Sequence, residues 1–389
     1  MFTVSVVKDD ASSQEMLHEA LNLIGDIPAL FPDKQEKILI KPNFGCHKTA
    51  ITGATTDLRM LVALIQKLQS DGYSNIVVGD GGMAGYLKID ILDYLGVPAL
   101  CKKYGVPVLD LNKDESFLTQ LSSGAKVKIS KTALESKVID LAKLKTHVLA
   151  TVTLGVKNLL GCVVGSDKRE IHLHGLNENL ACLPGVIKPA LTLIEGIVGM
   201  EGRGPVGGKP KKSDLLIASS DVIAADMVAS KLIGFNPFEI KHLVCAIKLS
   251  SNSYRWEDIN IFGTPIKKAF TPFEAATPIK LEANPYMNRL KHMIRGGPIH
   301  PFVTTLLSSS TVVSTMVKNL GILQEEINYE PSASFPSVNK NVCKGCGVCL
   351  HACPVNALSV SSGRGDVDVS KCVKCYCCVE TCPVNAIRI

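Results

Sequence analysis

The chain has 389 residues, of which 46% are hydrophobic and 20% charged, and its formal net charge is +6. At about 150 residues per domain this length predicts two or three domains with real cores, and the composition excludes a disordered or collagen-like chain. Aromatic residues make up only 5% and no long basic run occurs, so no nucleic-acid-binding role is indicated. No secretory leader and no apolar run of about 18 residues is visible, so we expect a cytoplasmic protein without a membrane span.

Strand-like and helix-like patterns alternate over residues 1–234. Strands are predicted at 37–43, 75–82, 106–111, 136–145, 191–198 and 214–221, and helices at 57–72 and 222–234. Strands that alternate with helices are typical of an α/β fold. We therefore predict a mostly parallel, doubly wound sheet.

Composition shifts divide the chain into four parts. These are an α/β domain (1–245), a middle segment (246–330), a linker rich in proline and serine (331–340) and a small C-terminal domain (341–389). We expect the middle segment to pack on the α/β domain or to complete it. Its apolar stretch 302–317 predicts a buried helix; the alternative, a helix lying on a membrane, lacks a strong basic face.

Nine of the 14 cysteines fall in the C-terminal part of the chain. Disulfides are rare under cytosolic reducing conditions, so this clustering indicates a metal site. Two runs, starting at Cys343 and Cys372, share the spacing C-x2-C-x2-C-x3-C-P, and each continues into a similar V-N-A sequence. This repeat is the bacterial two-cluster ferredoxin pattern and predicts a small α+β domain that holds two [4Fe-4S] clusters.

In this pattern the fourth cysteine of each run binds the cluster held by the other run. The first cluster is then predicted to be held by Cys343, Cys346, Cys349 and Cys382, and the second by Cys372, Cys375, Cys378 and Cys353. Zinc is the alternative, but zinc sites use paired C-x2-C knuckles rather than two four-cysteine runs. The additional Cys377 is expected to be a bystander thiol.

Polar side chains follow the ends of several predicted strands, where doubly wound sheets bind their ligands. They are Lys41, Asn43, Asp80, Lys143, Lys145 and His147. Lys143, Lys145 and His147 recur at every second position, so an extended chain would place them on one side. We expect an anion pocket in which crowding lowers the lysine pKa values enough for proton transfer. The alternative is that each lysine simply leaves the sheet for water.

Two further segments could contribute to this pocket, and a third is considered as a metal site. The segment 155–161 is expected to open a helix whose amides add to the anion site. The glycine-rich loop 199–212 is either a mobile cover or a plain flexible connection. His172 and His174 would share a face if extended, but a third metal ligand at suitable spacing is not visible.

These motifs together resemble the DUF362 domain family, which is often fused to a two-cluster ferredoxin. The resemblance rests on Lys41-Pro42-Asn43, Gly79-Asp80, the stretch 143–147, the glycines and polar residues of 153–161, the stretch 199–205, Asp221 and Asp226. It covers about residues 1–245 and 335–389. The family is named for its unknown function, so the resemblance implies no substrate, and Glu195 stands where an aspartate is expected.

The leading hypothesis is an iron–sulfur oxidoreductase that works with a redox partner protein or a small electron donor, in an anaerobic setting, on an anionic small molecule. The candidate catalytic residues are Lys145, His147 and Asp80, and the candidate substrate-binding residues are Lys41, Asn43, Lys143, Lys157, Asn158 and Glu201. One alternative is an electron carrier or ligand sensor without chemistry of its own. Another is a maturation factor or transferase with structural clusters. The segment 79–85 matches a dinucleotide-binding fingerprint only in part.

Overall fold

The computed structural model describes residues 1–87, 90–276, 335–372 and 376–388. The predicted helix at 302–317, most of the predicted middle segment and the start of the predicted linker lie outside the described residues, as does Cys375. No helix in the described ranges is long and apolar enough to cross a membrane.

Fifteen strands are found in the described part of the chain. They are β1 (Phe2–Lys8), β2 (Ile38–Pro42), β3 (Ile76–Asp80), β4 (Val108–Asp110), β5 (Ser116–Gln120), β6 (Lys126–Ser130), β7 (Lys137–His147), β8 (Thr151–Thr153), β9 (Leu191–Glu201), β10 (Lys209–Ser219), β11 (Ile259–Gly263), β12 (Ser337–Val338), β13 (Leu358–Ser361), β14 (Arg364–Val367) and β15 (Ile387–Arg388).

The α-helices range from single turns to three turns and a half. They are α1 (Ser13–Asn22), α2 (Asp26–Leu30), α3 (Leu58–Ser70), α4 (Ile91–Tyr94), α5 (Val97–Lys102), α6 (Lys131–Glu135), α7 (Gly155–Asn158), α8 (Lys168–Leu173), α9 (Leu176–Ile187), α10 (Val222–Leu232), α11 (Lys241–Leu249), α12 (Ile266–Ala269), α13 (Val348–Ala352) and α14 (Cys377–Thr381).

One large sheet organises the molecule, in the order β11-β1-β10-β9-β7-β2-β3-β4, with β8 paired to β7. Neighbouring strands run parallel from β9 through β7, β2 and β3 to β4, and β1 is parallel to β11. The predicted mostly parallel α/β sheet is confirmed. Strand β10 is antiparallel to both of its neighbours because the short connection 202–208 folds it back on β9 as a hairpin.

The central strands are apolar on both faces because helices cover both sides of the sheet. In β2, Ile38 and Ile40 belong to the core beneath α1 and α3, whereas Leu39 belongs to the core on the opposite face, beside α9. Helix α3 begins at the N-cap Asp57, whose side chain accepts a hydrogen bond from the Arg59 backbone. Its buried residues recur at helical spacing. This packing fixes the strand ends where the candidate site lies.

The C-terminal module, residues 335–388 as described, packs directly on the α/β domain. Tyr376, Val379 and Cys382 share a buried apolar cluster with Leu149 and Leu160 of the large domain. Two hydrogen bonds join the same surfaces: the Tyr86 hydroxyl donates to the Thr381 carbonyl at 3.1 Å, and the Asn385 amide to the Gly207 carbonyl at 2.7 Å. The two parts therefore share a hydrophobic core.

Candidate functional site

A cavity of about 70 Å³ lies where β2, β3 and β7 end and where the C-terminal module meets the sheet. Six of the nine candidate catalytic and substrate-binding residues line it: Lys41, Asn43, Asp80, Lys145, Lys157 and Asn158. Because parallel strands carry their carboxyl ends to one edge, residues far apart in sequence converge there. We call this space the lysine cavity.

Lys41 and Asp80 form a buried ion pair at the wall of the lysine cavity. The Lys41 Nζ lies 2.7 Å from Asp80 Oδ1, and the two side chains are 0% and 4% exposed. Lys41 also donates to the Pro42 carbonyl and to Asn158 Oδ1, so three acceptors use its three N–H donors. The Phe44 and Gly81 amides donate to the Asp80 carboxylate. This pair is a fixed part of the wall.

The backbone at Gly161 passes very close to this pair. A Cβ atom at this position would lie 2.2 Å from Asp80 Oδ1 and 2.7 Å from Lys41 Nζ. Glycine is therefore required here for the close approach of chain and ion pair.

Lys145 is one of two cavity lysines, with Lys168, whose pKa values lie close enough to neutral pH for proton transfer. Its Nζ donates to Asn43 Oδ1 at 2.9 Å and to the Ala54 carbonyl at 2.7 Å, which uses two of three N–H donors. Burial, together with the nearby ammonium groups of Lys157 and Lys143, lowers the pKa of Lys145 to about 8. Lys145 can therefore change its protonation state near neutral pH.

Glu380 enters the site from α14 of the C-terminal module. Its Oε1 lies 3.0 Å from His147 Nε2 and 3.3 Å from Lys157 Nζ. The Leu149 and Ala150 amides both donate to His147 Nδ1, which assigns the ring proton to Nε2 and makes His147 a donor to Glu380. Burial lowers the pKa of His147 to about 3. His147 does not line the cavity; it lies behind Glu380 and holds it.

Three residues line the cavity that the sequence did not identify as cavity residues. They are Lys168 and His172 of α8 and Glu380 of α14. Lys168 lines the cavity and donates to Asn112 Oδ1 and to the Val163 carbonyl, and burial lowers its pKa to about 8. His172 also lines the cavity, whereas His174 lies outside it, 3.1 Å from Glu170. Helix α8 replaces the extended conformation considered for this stretch, so the two histidines do not form a metal pair.

Two predicted binding residues lie away from the lysine cavity. Lys143 forms a fully buried ion pair with Glu195 at 2.6 Å, and the register of β7 against β9 shifts between Lys143 and Lys145. Glu201 lies 3.2 Å from Lys211 and accepts a hydrogen bond from the Glu274 amide. Neither side chain lines the cavity.

The predicted anion site at the start of α7 is wrong. The Gly155 and Val156 amides donate to the two carboxylate oxygens of Asp226 at 2.7 and 3.0 Å. A side chain of the protein itself therefore uses the amides that were expected to bind a ligand. The loop between β9 and β10 contributes Pro205 to the cavity wall, and its Gly204–Pro205 peptide bond is cis.

Two small cavities in the C-terminal module collect cysteine thiols from both runs. One is lined by Cys343, Cys346, Cys349 and Cys382, and the other by Cys353, Cys372 and Cys378. Backbone amides donate to three of these sulfurs: Gly365 to Cys343 at 3.2 Å, Ala357 to Cys353 at 3.1 Å and Ala386 to Cys382 at 3.2 Å. Such N–H···S bonds and apolar surroundings suit an iron–sulfur cluster, so the residues present fit this group.

Helix α14 connects these cavities to the lysine cavity. Cys378 lies in this helix and Cys382 follows it directly, one in each thiol cavity. Between them, Glu380 and Thr381 line the lysine cavity. One short helix therefore borders all three spaces.

Comparisons with known proteins find matches in two parts of the chain. The family model described as a domain of unknown function, DUF362, matches residues 38–231, and the model of a 4Fe-4S dicluster domain matches residues 335–383. A thylakoid-associated protein of Synechocystis sp. is 28% identical over 263 residues, which cover 64% of this chain and 81% of that protein.

Among solved structures, the lactate racemase apoprotein of Thermoanaerobacterium thermosaccharolyticum matches with a TM-score of 0.40 and 14% identity. The match covers 60% of this chain and 56% of the racemase chain.

Proposed function

Because this chain combines a DUF362 domain with a 4Fe-4S dicluster domain that binds iron–sulfur clusters, we propose that it is an iron–sulfur oxidoreductase. Electrons move between two [4Fe-4S] clusters and a small anionic molecule bound in the lysine cavity. A redox partner protein or a small electron donor exchanges electrons with the clusters at the other end of the path.

The proposal assigns four thiolates to each cluster. The first set is Cys343, Cys346, Cys349 and Cys382, and the second is Cys372, Cys375, Cys378 and Cys353. The grouping of the described thiols in two cavities supports this crossed assignment. When bound, the clusters supply one-electron transfer.

The observation that carries the proposal is the position of α14. Cys378 and Cys382 belong to different cluster sites, and Glu380 between them lines the lysine cavity. A molecule in that cavity lies against the same helix that supplies a ligand to each cluster. An isolated electron carrier would not need a buried polar cavity at this place.

The charges of the lysine cavity favour an anion. Lys145, Lys157 and Lys168 line it in addition to the Lys41–Asp80 pair, and Glu380 offsets only one of these charges. We assign Lys145 as proton donor because its pKa is about 8 and two of its N–H groups are fixed. His147 acts as a positioning residue for Glu380.

The test compares Lys145→Met with Lys131→Met, which removes an equal charge from the surface. Each protein is loaded with clusters anaerobically and mixed with a panel of small carboxylates and oxyanions, once with dithionite-reduced clusters and once with oxidised clusters. Visible absorption follows reoxidation of the reduced clusters and reduction of the oxidised ones. We expect at least one anion to accelerate one of these two reactions in the wild type and Lys131→Met but not in Lys145→Met, at equal iron content.

If every anion leaves the three proteins with the same rates of cluster reoxidation and cluster reduction, the oxidoreductase proposal is contradicted. The protein would then be an electron carrier whose large domain has another task.

A further inference from the structure

Three polar atoms of residues that line the lysine cavity have no hydrogen-bond partner among the described residues: Glu380 Oε2, Thr153 Oγ1 and His172 Nδ1. Glu380 is 6% exposed and Thr153 4%, so water outside the protein does not satisfy them. His172 Nε2 lies 3.6 Å from Glu380 Oε2, beyond hydrogen-bond distance. Buried polar atoms are almost always paired, so we expect a ligand bound in the cavity to form hydrogen bonds with these atoms.

The acidic and the basic side chains that line the cavity need different hydrogen-bond partners. An ionised carboxylate only accepts hydrogen bonds, so the partner of Glu380 Oε2 must be a donor. Glu380 acts as an acceptor in its observed contacts, because its Oε1 accepts a hydrogen bond from His147 Nε2 and forms an ion pair with Lys157 Nζ at 3.3 Å. Two of the three N–H donors of Lys145 bond to Asn43 and Ala54, and the third requires an acceptor. A simple anion would satisfy the lysines and leave Glu380 Oε2 unpaired.

We propose that the ligand is a small hydroxy acid whose carboxylate binds the lysines and whose hydroxyl donates to Glu380 Oε2. This inference rests on the proposed function and adds the substrate class to it. An amine could also donate, but its positive charge would lie among Lys145, Lys157 and Lys168. A hydroxyl is uncharged, so the lysines do not repel it. Thr153 Oγ1 can form a hydrogen bond with this hydroxyl or with the ligand carboxylate.

The size of the cavity limits the ligand. A bound water needs roughly 10–15 Å³ of such space, so about 70 Å³ corresponds to a handful of water-sized groups. Glycolate and 3-hydroxypropionate are of this size. They place the hydroxyl at two different distances from the carboxylate, and both are therefore used as probes.

The experiment measures binding by isothermal titration calorimetry, with oxidised, cluster-loaded full-length protein under anaerobic conditions. Each hydroxy acid is compared with its isostere in which a methyl group replaces the hydroxyl: glycolate with propionate, and 3-hydroxypropionate with butyrate. We expect at least one hydroxy acid to bind about tenfold or more tightly than its isostere, because the isostere leaves a buried carboxylate oxygen unpaired.

Two variants assign the preference to residues. Glu380→Gln is expected to bring the ratio within a pair to less than about threefold, whereas the surface variant Lys131→Gln retains it. Thr153→Val leaves the Glu380 contact in place and is expected to keep most of the ratio. Iron content and circular dichroism show that each variant is folded and loaded.

Equal binding within both pairs overturns the inference, since water would then satisfy Glu380 Oε2; the anion cavity of the proposed function would stand. A failure of all four probes to bind also overturns the hydroxy-acid assignment. The proposed function is decided separately, by the rates of cluster reoxidation and cluster reduction in Lys145→Met and Lys131→Met. Those rates come from a broader panel of anions.

Discussion

The two functional regions of this protein are built in opposite ways. The cysteine module draws its thiols from a short stretch of chain, 343–382, in which two runs repeat one spacing. The lysine cavity draws on residues from Lys41 to Thr381, brought together by strand ends and by domain packing. The cysteine module can be recognised from the local spacing of its residues, whereas the lysine cavity depends on the whole fold. Substitutions should therefore damage the first site alone but disturb the second together with stability.

The largest expected effect is loss of a cluster. Cys382→Ser and Cys353→Ser each remove a thiolate that the crossed assignment gives to the other run, and each variant should lose about half of the iron. Cys377→Ser, the matched control next to a ligand, should keep all of it. Iron analysis and electron paramagnetic resonance of the reduced protein measure this. Unchanged iron in both Cys382→Ser and Cys353→Ser would contradict the assignment.

The next effect belongs to the cavity wall. Lys41→Met removes one partner of a buried ion pair and leaves Asp80 uncompensated, which should lower the free energy of unfolding by about 3–5 kcal/mol. Lys212→Met breaks an exposed pair with Asp10 and should leave the free energy of unfolding nearly unchanged. Urea unfolding of anaerobic, cluster-loaded protein compares them. Equal losses would show that the Lys41–Asp80 pair is not structurally important.

A smaller effect is expected at Gly161. The Cβ of Gly161→Ala would meet the Asp80 carboxylate, so overpacking should cost about 1–3 kcal/mol and weaken anion binding. Gly185→Ala is the matched control: it lies in α9 with open space around it, and should be neutral or stabilising by up to about 1 kcal/mol. Urea midpoints of the two variants decide whether crowding at Gly161 matters.

The smallest effect concerns pH. Lys145 and Lys168 have pKa values of about 8, lowered by burial, and only their protonated forms attract an anion. Anion affinity should be fully present well below pH 8 and fall several-fold as the pH rises to 9. Calorimetric titration with glycolate at several pH values measures this, and Lys145→Met should flatten part of the change. An affinity that rises with pH would contradict a role for these ammonium groups.

Much of the sheet could be predicted because its central strands follow apolar patterns between helices. The hairpin β5–β6 exposes Phe117 and Leu118, so it lacks this signal, and the place of β1 between β10 and β11 follows from the tertiary fold. In the site, Lys41, Asp80 and Lys145 could be identified because each lies within two residues of the end of its strand. These positions depend on local spacing alone.

The remaining parts of the site depend on tertiary packing. Glu380 is 233 residues from His147 in sequence, and only the docking of α14 brings them together. Likewise, no local pattern indicates that Asp226 occupies the start of α7. Lys143 matched the alternation of Lys145, yet the register shift in β7 and the pairing with Glu195 place it elsewhere. Spacing locates candidate side chains, but packing decides their partners.

The most direct test of the account is native mass spectrometry of anaerobically purified wild-type and Lys145→Met protein. We expect the wild type to carry the mass of two [4Fe-4S] clusters and of one small anion. We expect Lys145→Met to keep the clusters but lose the anion. Identical masses for the two proteins, apart from the substitution itself, would contradict the claim that the lysine cavity binds the substrate.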